Sequence, residues 1–323
     1  MRQAAAASAC SRKAAVRGLR PHSRRRRLLT AGLLALGLAA AGATGAAGQG
    51  VVAVGAQLSI SPTRLTFGEA PSVAQVTVAT PGQEQIYEVN LVDRVMTSDG
   101  RILEAGDPAL GAAAGVFDRS AKGRVTVSPE QIRVAPGRPA SITVRSTGRV
   151  GPLAGEYRTH LTLRPVTPPG GTTAQGAQVV FVFSIPIIVR VGPVDARAAI
   201  EQVQLSRIEA PGGSKALLQT APAVTLQLVR LGQNSVYGDI EVRSAADPEG
   251  PLLAELRGVA AYPEVGRRLV RIPLRRELVP GERVQIRFID RDLRPGRLLA
   301  QVELSLGAAR HAQLLEVPPV LSP

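Results

Sequence analysis

Residues Val179–Val191 read VVFVFSIPIIVRV, an almost uninterrupted apolar run that follows a Pro- and Gly-rich stretch and ends at Gly192-Pro193. The Val, Ile and Phe content favours extended backbone, and the run is too short to cross a bilayer as a helix. Apolar side chains at successive positions need cover on both faces, so this is a central strand or one that exchanges partners. A strand that exchanges partners is a binding device. Val180, Val182 and Ile188 are apolar at positions where a sandwich strand with one solvated face carries polar residues, which favours exchange over a plain core strand.

The chain opens with an export segment. Residues 1–27 hold nine Arg or Lys and no acid, and Leu28–Ala56 carries no charge, the order of a basic region followed by an apolar one. Cleavage after Ala43, Ala46 or Ala56 is expected rather than an uncleaved anchor, because Gly and Ala dilute the apolar stretch below a Leu-rich span. Ser23-Arg24-Arg25-Arg26-Arg27-Leu28-Leu29 also fits a twin-arginine signal, but an ordinary basic region is the simpler reading. Subtracting nine positive charges takes the formal +14 of the chain to +5. Nucleic-acid binding thereby loses its main support, and no nucleic-acid partner is expected: the remaining arginines are scattered, tryptophan is absent and aromatics for base stacking are few. Cys10, the only cysteine, leaves with the leader, so neither disulfide nor thiol nucleophile is expected in the mature chain.

What remains is long enough for two domains, and its pattern is all-β. Alternating segments recur at Leu58–Phe67, Ala74–Ala79, Gln85–Met96, Ser141–Ser146, Tyr157–Arg164 and Val179–Val191, then at Val224–Leu231, Tyr237–Arg243, Leu269–Leu274, Arg283–Ile289 and Leu298–Leu306. Ser98-Asp99-Gly100 marks a hairpin turn before Arg101–Glu104. Short strands at this spacing predict two immunoglobulin-like β-sandwich domains rather than α/β layers. The expected division is 1–56 export segment, 57–192 first sandwich, 193–308 second sandwich and 309–323 Pro-rich tail. An apparent repeat supports it: Ala135–Val144 is echoed by Val279–Phe288, and Gly155–Leu163 by Gly296–Leu304, each copy reading as a Pro-Gly turn, a strand, a loop and a second strand.

Ser61-Pro62-Thr63-Arg64-Leu65-Thr66-Phe67, Ala74–Ala79, Val134-Ala135-Pro136-Gly137, Gly155-Glu156-Tyr157-Arg158 and the run at 179–191, in that order, resemble the first domain of periplasmic pilus-assembly chaperones, the PapD-like family. The resemblance covers about residues 57–192; residues 194–306 match the second domain only in being β-rich and in their place. It implies a periplasmic location and a mechanism of strand addition, in which the last strand of the first domain offers alternate apolar side chains to an exported pilus-like subunit that lacks a strand. Val179, Phe181, Phe183, Ile185 and Ile187 share the face that would do so. An outer-membrane usher is the further partner it implies. Arg64 matches the first of a basic pair that anchors the subunit's terminal carboxylate, and as an anchor it is expected to add little to stability. The second position departs from the family: Pro186 stands where a lysine is expected, removing a charge and a backbone donor, and Arg190 is the alternative source of charge.

No catalytic residue, metal ligand, cofactor or small-molecule substrate is expected. His160 and His311 lack metal-ligand spacing, there is no Gly-x-Ser-x-Gly elbow and no phosphate-binding glycine loop, and Asp290-Arg291-Asp292 reads as a charged turn before Arg294-Pro295-Gly296. His160 reads as a surface or hydrogen-bonded core residue. Two function classes stay open: a periplasmic chaperone, or a non-enzymatic structural or adaptor protein of the envelope with a fixed partner.

Overall fold

The computed structural model describes residues 52–54, 57–115, 118–148, 153–166, 178–209, 220–306 and 312–315. The basic leader, the cleavage positions at Ala43, Ala46 and Ala56, and His311 lie outside the described residues.

The first half runs through β1 (Val52–Val54), β2 (Ser59–Ser61), β3 (Leu65–Phe67), β4 (Ser72–Ala79), β5 (Gln85–Val92) and a hairpin of β6 (Arg94–Met96) and β7 (Ile102–Glu104). Two short 3-10 segments lead to β8 (Val125–Ser128), β9 (Gln131–Val134), β10 (Ala140–Ser146), β11 (Gly155–Pro165), β12 (Gln178–Val180) and β13 (Phe183–Val191). A sheet of order β2-β4-β10-β8 faces one of order β3-β13-β11-β5-β9. The alternation read from the sequence fills the space between them: Val76, Val78, Ile142 and Val144 from one side meet Tyr87, Val89, Leu161, Leu163, Ile185 and Ile187 from the other. Each such aliphatic or aromatic side chain, fully buried, contributes ~1.5–3 kcal/mol.

Two prolines let strands change sheets. The stretch read as one strand over Leu58–Phe67 divides at Pro62 into β2, paired with β4, and β3, paired in parallel with β13. Pro129 likewise separates β8, which pairs with β10, from β9, which pairs with β5. A residue without an N–H ends a ladder, and the chain leaves for the other sheet there.

The 179–191 run is also two strands rather than one. β13 pairs with β11 from Val191 opposite Gly155 to Phe183 opposite Leu163. Continued in the same register, the ladder would set Phe181 against Pro165, which has no N–H to offer. Beyond that break β12 runs parallel to β1, with Ala53 opposite Val179.

The second half contains β14 (Ala198–Glu209), β15 (Thr220–Arg230), β16 (Val236–Ser244), β17 (Ala254–Ala261), β18 (Arg267–Pro273), β19 (Arg283–Asp290), β20 (Leu298–Leu306) and β21 (Ala312–Leu315). Sheets of order β14-β15-β18 and β17-β16-β19-β20-β21 enclose a second core around Val224, Leu226, Leu228, Ile240, Ile286 and Phe288. Sequence reading passed over β1, β8, β9, β14, β17 and β21. In β14 the register shifts between Glu201 and Gln204, where Gln202 adopts φ 49°, so its period of two is interrupted. β17 faces a similar shift in β16 between Gly238 and Ile240.

The repeat does not survive the topology. β19 and β20 are hydrogen-bonded neighbours, whereas β10 and β11 lie in opposite sheets. The shared pattern is the common grammar of Pro-Gly turns before strands. Within the segment read as a tail, Ala312–Leu315 forms the edge strand beside β20.

Candidate functional site

The alternation of β13 decides which side chains meet the second sandwich. Ile185, Ile187, Val189 and Val191 enter the first core, with Phe183 packed against it. Ile188 and Arg190 point the other way. Ile188 joins Met96, Ala260, Tyr262 and Val265 in a small core shared by both sandwiches. Arg190, opposite Glu156 in the β11 ladder, enters a buried charge cluster.

That cluster is built on two carboxylates, those of Asp292 and Glu156. Asp292, in the turn after β19, accepts at Oδ2 from Arg190 Nη2 at 2.6 Å and from Arg64 Nη2 at 3.0 Å. Ser235 Oγ lies 3.4 Å from Arg190 Nη2 and 3.3 Å from Arg64 Nη2. Glu156 Oε2 accepts from Arg190 Nε at 3.1 Å and from the Ser235 N–H and hydroxyl at 3.1 and 3.0 Å. Arg64 also stacks over Tyr237, 4.7 Å from the ring centre. Two cations and two anions therefore balance out of water, the condition under which buried charges are tolerated. Burial alone would raise the Asp292 carboxyl, but the Arg190 hydrogen bond and the charges of both arginines outweigh it and hold its pKa below the ordinary value.

A second buried pair reinforces the junction. Arg158 donates to both carboxylate oxygens of Glu264 and, at 2.7 Å, to the Arg94 carbonyl, with its guanidinium 3.7 Å from the Tyr262 ring centre. Glu264 Oε1 also accepts from the Met96 N–H at 2.8 Å. The Ser98-Asp99-Gly100 turn does more than close a hairpin: the Ser98 carbonyl accepts from the Leu269 N–H of β18 at 2.7 Å, joining the two sandwiches. His160 is buried with no partner for Nδ1 among the described residues, and burial followed by the charges of Arg158, Arg94 and Arg64 drives its pKa well below 6.5.

The residues singled out by sequence are thus distributed over two places. Arg64 and Arg190 converge on Asp292. Val179 lies in β12, and Val180, Phe181 and Val182 are exposed at 41, 43 and 38%. Ile185 and Ile187 are buried in the first core. β3 covers β13 only from Ile187 to Val189, so among the described residues no strand pairs with the outer edge of β13 over residues 183–186.

Sequence reading missed Glu156, Ser235, Asp292, Tyr237 and Glu264 as members of the junction. Asp290 does cap the charged turn, accepting from the Asp292 and Arg294 N–H groups at 2.8 Å each, while Asp292 reaches across to the other sandwich. The available signal was a second acid in a turn already capped by the first.

The chain is similar to the solved YadV chaperone at 13% identity and a TM-score of 0.38, covering 77% of this chain and 100% of that one. The CupB2 chaperone of Pseudomonas aeruginosa matches at 11% identity and a TM-score of 0.36, covering 80% of this chain and 97% of its own. The third is the CsuC-CsuE chaperone-tip adhesion subunit pre-assembly complex from archaic chaperone-usher Csu pili of Acinetobacter baumannii, at 10% identity and a TM-score of 0.39, covering 77% of this chain and 98% of that one. No family model and no curated protein matches the chain.

Proposed function

We propose that this protein is a periplasmic chaperone of pilus assembly that holds strand-deficient exported subunits by strand addition. The observation that carries the proposal is the edge of β13 over residues 183–186, which no strand covers among the described residues, continuous with exposed Val180, Phe181 and Val182. An open edge flanked by exposed apolar side chains is a template for another chain, and soluble proteins ordinarily blunt such edges with charge or cover. Here the exposed Phe181 is the side chain assigned to the subunit, together with the half-buried Phe183, which also packs against the first core. The buried Ile185 and Ile187 support the strand from within its own core. The basic leader and the uncharged segment behind it support export to the periplasm, with an usher as a further partner.

The test is capture of an exported subunit lacking its last strand. Wild-type protein is expected to retain it on a column, and Phe181→Asp to release it. Retention by Phe181→Asp at the wild-type level would reject strand addition.

Asp292 favours a second reading, an adaptor of the cell envelope. It occupies both arginines that a subunit carboxylate would use, and Pro186 removes a donor beside them. Under that reading the wild-type chain captures no strand-deficient subunit, and no usher barrel or small exported subunit is encoded beside its gene.

A further inference from the structure

We propose that the cavity between the start of β11 and the turn joining β15 to β16 is a separate binding site for an oxyanion, a carboxylate or phosphate group, held by Arg119 and Arg230. The cavity has a volume of about 290 Å³ and is lined by both sandwiches, with Arg119, Gly155 and Glu156 on one side and Arg230, Gly232 and Pro263 on the other. Neither Asp292 nor the open edge of β13 lines it, so the proposal does not rest on strand addition.

Three features point to an anion. First, both arginines are half-buried and neither has a carboxylate within ion-pairing distance among the described residues, whereas Arg64, Arg158 and Arg190 each do. Arg230 is held by neutral groups alone: Nη1 donates to the Gly232 carbonyl and Nη2 to the Pro263 carbonyl at 2.7 Å. Arg119 Nη1 donates to the Ala154 carbonyl at 3.0 Å, and its guanidinium lies 5.7 Å from the Tyr157 ring centre. Each guanidinium has five donors, so both retain donors for a ligand while their planes are already positioned.

Second, the site is cleared for Arg119. Gly155 has φ 138°, and a Cβ there would fall 2.0 Å from Arg119 Nη1. A side chain at 155 and the guanidinium in its present place exclude each other.

Third, the local charge is positive. Glu156 lines the cavity with its Oε1 unpartnered among the described residues, but its Oε2 accepts from Arg190 and Ser235 and Glu264 is paired with Arg158, so each acid is already balanced by another arginine. Burial lowers the pKa of Arg230, and the charges of Glu156 and Glu264 offset this only in part. A desolvated cation without a direct counter-ion gains from an oxyanion that accepts from it, and such charge-assisted bonds are the strong ones. The cavity volume, near the lower end of about 300–1,000 Å³ for ligand pockets, admits a short chain end as well as a bare ion.

Isothermal titration calorimetry on the full chain tests this with three probes: inorganic phosphate, acetyl-tetraalanine as the free acid, and the same peptide as its C-terminal amide. The expected result is saturable binding of the acid, of phosphate, or of both. Arg119→Gln and Arg230→Gln should each weaken it by about tenfold or more. Arg145→Gln, at an exposed arginine of β10, should leave it unchanged. Binding of the acid with the amide about tenfold weaker assigns a carboxylate chain end; binding of phosphate alone assigns a phosphoryl or inorganic oxyanion. Equal binding of acid and amide, unchanged affinity in Arg119→Gln, or no saturable heat with either oxyanion at millimolar concentration overturns the proposal. Arg230 also ties down two carbonyls, so its variant is read beside a melting curve, with Arg230→Lys retaining the charge. Arg119 makes only one carbonyl bond, at the surface, and its variant carries the test if Arg230→Gln does not fold.

Discussion

Arg64 illustrates how far a role changes when its surroundings are known. Read as an anchor on a strand, it should be removable with little loss of stability. Placed between Asp292 and Tyr237 with only 10% of its side chain exposed, it contributes a charge-assisted bond and a ring contact. Arg64→Ala is therefore expected to lower unfolding free energy by about 1–3 kcal/mol in urea titration; no measurable loss would return it to the anchoring role alone. Arg190 stands deeper, between Glu156 and Asp292. Arg190→Met leaves two buried carboxylates with one remaining guanidinium and is expected to cost about 3–5 kcal/mol, measured the same way. His160 provides a pH signature. Its folded pKa lies well below 6.5 because burial and three arginines disfavour the cation, whereas in the unfolded chain it titrates near its ordinary value. The unfolded state then binds more protons between those two values, so stability is full above about pH 6.5 and falls as pH drops through that window, at up to about 1.4 kcal/mol per unit. Melting temperature against pH should show this slope, and His160→Gln should flatten it between pH 6.5 and the folded pKa.

β13 carries two faces and two edges, each with a different task. Its inward face fills the first core, Ile188 and Arg190 bind the second sandwich, one edge pairs with β11, and the other is covered by β3 only from Ile187 to Val189. The amino-terminal end emerges from the sheet where Pro165 can no longer pair. Phe181 lies in that emergent part at 43% exposure, so Phe181→Asp should change stability by no more than about 0.5–1 kcal/mol while abolishing subunit capture. Loss of the folded state in circular dichroism would instead place Phe181 in the core. The same element explains why an apolar run without alternation is a sound signal of a special strand: both faces of its second half are covered, one by its own sandwich and the other by the neighbour.

The two sandwiches are joined by a small apolar core and two buried charge groups rather than by a broad hydrophobic interface. Glu264 ties three first-sandwich groups at once, Arg158 Nη1, Arg158 Nη2 and the Met96 N–H. Glu264→Ala strands a buried arginine and is expected to separate calorimetric unfolding into two transitions, one for each sandwich; a single unshifted transition would show that the apolar core alone couples them. Much of this architecture is legible in the linear chain. Alternation at Ala74–Ala79, Ser141–Ser146 and Arg283–Ile289 identifies strands because burial on one face of a pleat is a local property with a period of two. The runs of such strands on either side of Gly192-Pro193 likewise imply two sandwiches. Where a bulge breaks that period, as in β14, the signal is lost. The junction is of another kind: Arg64, Glu156, Arg190, Ser235 and Asp292 are drawn from five separated stretches, and no spacing relates them. An arginine on a strand looks alike whether water, a partner or a distant aspartate accepts its hydrogen bonds. Folding chose the aspartate, because packing one sandwich against the other removes water from those guanidinium groups and leaves a carboxylate as the acceptor that balances their charge.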